Sequence, residues 1–119
     1  MQYLKLGLTF LFGILMIAAG INHFRHSAIY LPFIPDFLPQ QLINQATGII
    51  EILLGISVFI PQFRQRAAFG ILILMIIFLP LHVWDVFRDN PAIGSHKVAL
   101  IRLPIQFLLI FIGWFISKK

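Results

Sequence analysis

The chain has 119 residues, of which 60% are hydrophobic and 11% charged, with a mean hydropathy of +0.95. Soluble domains average about 45–50% apolar and about 25% charged, so these values exclude an ordinary globular domain, a disordered tail and a coiled coil. There is no cysteine, which excludes disulfides, thiolate metal sites and thiol redox chemistry. The net charge of +5 is spread singly or in pairs between apolar runs, as topology signals and anionic-lipid contacts would be. A nucleic-acid interface would gather it into a patch.

Four apolar runs follow in chain order. Leu6–Ile21 is preceded by Lys5 and closed by the polar stretch Asn22–His26; Leu42–Ile60 contains one charge, Glu51. Ala67–Trp84 carries His82 but no formal charge, and Val98–Ile116 carries Arg102. A helix rises about 1.5 Å per residue and a hydrocarbon core is about 30 Å thick, so each run is long enough to span, the first with help from its flanks. The pattern predicts one all-α membrane domain over residues 1–119, with spans near 4–22, 42–60, 67–84 and 98–116 in an up-down-up-down four-helix bundle.

Lys5 followed by Ala18-Ala19-Gly20 has the outline of a cleaved signal peptide, but the glycines favour a retained helix. Gly13 and Gly20 lie seven residues apart and share a face on which a neighbour can approach closely; Gly48 and Gly55 repeat the spacing. Between the first two spans, residues 23–41 hold Pro32, Pro35 and Pro39, which prevent a continuous helix. Phe24, Tyr30, Phe33 and Phe37 suit a membrane–water boundary, predicting an interfacial cap or, alternatively, a lid for a lipid-soluble ligand. The 61–66 segment PQFRQR is a tight basic turn, and 85–97 a polar loop.

With four spans, Lys5, Arg64, Arg66, Lys118 and Lys119 share one side, against Arg25, Arg88 and Lys97 on the other. The excess of Lys and Arg predicts both termini in the cytoplasm.

Ionisable groups at membrane depth are costly and face a bundle interior or a cavity. Glu51 would lie about 13 Å from the start of its run and Arg102 about 6 Å. Thr47 stands one turn from Glu51 and Gln106 one turn from Arg102. Adding Asn22, His23, His82 and Asp85 collects a polar pocket in the outer half of the bundle: Asn22, His23, Thr47, Glu51, His82, Asp85, Arg102 and Gln106. Two readings stand for it. One is a network that fixes helix register; the other is a ligand or proton-coupled site, for instance for a quinone headgroup, whose carbonyls want donors and whose reduction consumes protons. A haem between His23 and His82 is conceivable, although either histidine suits a capped interfacial position equally well. The histidine spacings match no metal motif, and no phosphate-loop, nucleophile-elbow or dinucleotide glycine pattern is present. Pro80 and Pro104 each remove a helix hydrogen bond, freeing the carbonyls of Ile76 and Leu100.

The order AGINHF (19–24), YLPFIPDFLP (30–39), TGIIEILLG (47–55), PQFRQRAA (61–68) and IRLPIQFLLIFIGW (101–114) resembles the DoxX-like family of small four-helix membrane proteins. The resemblance implies a multi-pass protein of the cytoplasmic membrane of a prokaryote. It also implies His23, Glu51, Arg102 and Gln106 as a polar core, and association with a redox system or quinone. The expected role is a redox-associated membrane subunit with lipid contacts, a redox partner protein or a second copy of itself as partners. A non-catalytic assembly or anchoring protein, or a small lipophile or proton transporter, is the alternative.

Overall fold

The computed structural model describes residues 2–118. Lys119, one of the basic residues of the expected cytoplasmic side, lies outside them. Among the described residues the chain is all helical: α1 (Gln2–Arg25), α2 (Ser27–Tyr30), α3 (Gln40–Ser57), α4 (Arg64–Phe87) and α5 (His96–Ser117), with a 3₁₀ turn at Leu31–Phe33. Three of these, α1, α4 and α5, are long and apolar enough to cross a membrane. Only 28%, 28% and 22% of their most apolar stretches is buried, so most of that apolar surface needs a hydrocarbon solvent rather than a protein core.

The second run differs from expectation. It predicts a span over 42–60, whereas α3 starts at Gln40, ends at Ser57 and falls short of the other three in apolar character. The reason is visible in its first half, where Gln40, Gln41, Asn44, Gln45 and Thr47 dilute the apolar residues.

The helices form two antiparallel pairs, α1 with α3 and α4 with α5. In the first pair the four glycines meet in register. A Cβ on Gly20 would lie 2.6 Å from the Gly48 carbonyl oxygen, and one on Gly55 would lie 2.6 Å from that of Gly13. Backbone thus packs on backbone, which only glycine permits at these points. The contact continues along both helices: Gly13, Gly20 and His23 on α1 face Asn44, Gly48, Glu51 and Gly55 on α3. In the second pair Leu72 packs against Gly113, and Gln65 of the first turn of α4 donates to the carbonyl of Ser117. Phe12 and Met16 of the first pair join Ala68, Ile71 and Met75 of the second in a shared core.

The proline-rich segment lies across the end where α1 finishes and α3 begins. Gln40 donates to the Ile34 carbonyl at 2.8 Å, which ties the segment to the start of α3. Arg88, at the end of α4, donates to the Pro32 carbonyl at 2.7 Å, and Phe33 packs its ring against His82. In the α4–α5 loop, Gly94 turns the chain at φ 120°, and Ser95 caps α5 by accepting from the Val98 N–H.

Candidate functional site

The glycine contact decides what meets at the polar end. Three residues beyond Gly20, His23 enters the α1–α3 seam between Asn44 and Glu51, which flank Gly48. Its Nδ1 lies 2.6 Å from Asn44 Oδ1 and its Nε2 lies 2.7 Å from Glu51 Oε1. His23, Asn44 and Glu51 are 7%, 1% and 3% exposed, so water does not supply their hydrogen bonds. Asn44 Nδ2 donates to the backbone carbonyl of His23 at 2.8 Å, which orients Oδ1 toward the ring as an acceptor. Nδ1 therefore carries a hydrogen and donates. Two arrangements satisfy the Nε2–Oε1 contact: an imidazolium donating to a carboxylate, or a neutral ring accepting from a carboxylic acid. In either, one proton is shared between His23 and Glu51. Tyr30 stacks on the imidazole with ring centres 3.8 Å apart, and its hydroxyl accepts from Asn22 Nδ2 at 2.7 Å.

Arg102 does not join Glu51, whose partner is His23, because Arg102 belongs to the α4–α5 pair. One turn on, Gln106 is fully buried; its Nε2 donates to the Met75 carbonyl at 2.6 Å. The acceptor is one residue earlier than the Ile76 carbonyl freed by Pro80, and both α4 and α5 continue through their prolines. Arg102 Nη1 and Gln106 Oε1 are buried and have no hydrogen-bond partner among the described residues. A donor and an acceptor are thus left unpaired on successive turns of one helix. His82 is half-buried, within electrostatic reach of both Arg102 and Asp85.

The remaining positions have local duties. Asp85, 1% exposed, accepts from the N–H groups of Ala92 (2.5 Å) and Ile93 (3.3 Å) and so holds the α4–α5 loop. Thr47 donates to the Ile43 carbonyl of its own helix at 2.8 Å rather than to Glu51. No three His, Asp or Glu side chains converge as metal ligands would among the described residues.

Asn44 and Tyr30 complete the His23 site but are absent from the residues expected for it. For Asn44 a signal existed: 44, 48, 51 and 55 follow the 4-3-4 spacing of one helix face, which groups it with Gly48, Glu51 and Gly55. For Tyr30 no periodic signal could exist, because the segment that carries it is broken by prolines.

The profile of a family described as a Domain of unknown function (DUF8561) matches residues 12–117. The chain belongs to that family. This overturns the DoxX-like resemblance, since the matching profile is that of DUF8561 and no DoxX profile matches. The motifs behind that resemblance are short, and most are apolar residues with a glycine or a proline, which close helix contacts and kinks favour in small membrane bundles generally. No curated protein and no solved structure matches the chain.

Proposed function

We propose that this DUF8561 chain is a multi-pass protein of the cytoplasmic membrane, with α3 as a fourth crossing and both termini inside, that binds a lipophilic compound of the quinone–quinol class in the polar half of its helices. The observation that carries this reading is the unpaired Arg102 Nη1 and buried, unpaired Gln106 Oε1. Buried polar groups are nearly always satisfied, and each orphan costs about 1–3 kcal/mol, more keenly felt where hydrocarbon excludes water. A ligand carbonyl would accept from Arg102 and a ligand hydroxyl would donate to Gln106. The two residues stand about 6 Å apart along the helix, on one face. Quinones and quinols carry both groups on a ring soluble in the bilayer, and a membrane subunit of a redox system is the role such a ligand suits.

Decylubiquinone titrated into nanodisc-embedded protein tests this, read by quenching of tryptophan fluorescence. Saturable binding is expected, weakened about tenfold or more in Arg102→Gln and in Gln106→Leu, the loss of a hydrogen bond to a charged or buried group. Unchanged affinity in both variants removes the ligand reading.

A second reading, a non-catalytic assembly or anchoring protein, draws on the His23–Asn44–Glu51 network, in which both ring nitrogens and both ends of the Asn44 amide are paired. It predicts no saturable quinone binding and a loss of stability when that network is broken.

The orientation has its own test on this cysteine-free chain. Gln62 and Asn90 are exposed at opposite ends of α4. Asn90→Cys is expected to react with an impermeant maleimide on intact cells, and Gln62→Cys only after permeabilisation. The reverse pattern inverts the topology, and equal labelling of both denies that α4 crosses.

A further inference from the structure

At the end opposite the His23 site, a cleft of about 130 Å³ opens where α1 and α4 begin and α5 ends. Lys5, Arg64, Gln2 and Gln65 line it, with Thr9 and Ile116 at its buried floor. Among the described residues no Asp or Glu lines it: Asp36, Glu51, Asp85 and Asp89 lie on α3, on the segment before it and at the far end of α4. Lys5 and Arg64 are both half-buried. Arg64 is held in place by its Nε donating to the Val58 carbonyl at 2.8 Å and by its guanidinium lying 5.0 Å from the centre of the Phe10 ring. Its Nη groups are left to face other acceptors, since a guanidinium has five N–H donors and Nε uses one. The first turn of α4 adds the positive end of its dipole.

We infer that this cleft binds the phosphate of an anionic phospholipid headgroup, with Lys5 and Arg64 as the two cations that recognise it. The position argues for lipid as the source of that phosphate. The cleft lies at the shared end of α1, α4 and α5, the three helices long and apolar enough to cross a membrane, which is the level of the headgroups. The apolar faces of the same helices would carry the acyl chains. A basic residue near an anionic membrane surface raises affinity about five-fold.

Native mass spectrometry of the detergent-solubilised protein, offered equal amounts of phosphatidylglycerol and phosphatidylcholine, tests the inference. The protein is expected to retain phosphatidylglycerol preferentially, and Lys5→Gln to reduce that preference about five-fold. Arg64→Lys, which keeps the charge but not the Nε hydrogen bond, should retain most of the preference, and Arg25→Gln at the opposite end should leave it unchanged. Equal uptake of the two lipids, or a preference indifferent to Lys5→Gln, overturns the inference. Displacement of the bound lipid by millimolar inorganic phosphate would identify a free-phosphate site and overturn it as well.

Discussion

Glu51→Leu is expected to destabilise the α1–α3 pair by about 1–3 kcal/mol, the cost of stranding a buried hydrogen-bonding group. His23 then keeps Asn44 at Nδ1 but loses its only partner at Nε2, in a seam where water does not replace it. The ring escapes the larger penalty of an isolated buried charge because it can give up its proton. Glu51→Gln should cost much less. The amide can accept from a protonated Nε2 or donate to a neutral one, so a hydrogen bond survives in both arrangements of the shared proton. Thermal unfolding followed by circular dichroism in a mild detergent measures both variants. Equal melting temperatures for wild type and Glu51→Leu would mean that the 2.7 Å contact holds nothing together. The pair of variants also separates two roles: a carboxyl needed only as a hydrogen-bond partner is replaced by Gln, whereas one needed for its proton is not.

Gly20→Ala is expected to cost about 1–3 kcal/mol, near the upper end, because the added carbon meets fixed backbone as well as the Ile52 side chain. It would sit 2.6 Å from the Gly48 carbonyl oxygen and 3.0 Å from the Ile52 amide nitrogen. Relief requires α1 and α3 to separate, and the separation would also draw His23 away from Asn44 and Glu51, three residues further along the same seam. Gly48→Ala should behave in the same way, with the Gly20 carbonyl oxygen 3.0 Å from its Cβ. Gly7→Ala is the control in the same helix. Nothing lies within 4 Å of its Cβ, so the substitution is expected to be neutral or to stabilise by up to about 1 kcal/mol through helix propensity. If Gly20→Ala and Gly7→Ala melt together, the close approach of α1 to α3 is wrong.

The sequence on its own determined where helices form. Apolar runs bounded by Lys, Arg and Pro admit no other regular structure in hydrocarbon, and the prolines at 32, 35 and 39 forbid a long helix between the first two runs. The matched seven-residue spacing of Gly13–Gly20 and Gly48–Gly55 also marked the faces that pack most closely. Less was legible in α3, whose polar first half shifts its start to Gln40 and lowers its apolar character. The motif strings pointed to the wrong family, because close packing and kinking impose similar glycines and prolines on unrelated small bundles.

Only the tertiary structure decided which polar groups are partners. Periodicity assigns residues to a face of their own helix, but not to the neighbour that the face will meet. From sequence, His23, Glu51 and Arg102 belong to one polar pocket with no partner assigned to any of them. The glycine seam settles it: with Gly20 against Gly48, His23 falls between Asn44 and Glu51, while Arg102 and Gln106 sit in the other helix pair. That separation leaves a satisfied proton-sharing site in one seam and unpaired polar atoms in the other. It arises because close packing pairs α1 with α3 and α4 with α5, and which helix meets which is not recorded in the spacing of residues along any one of them.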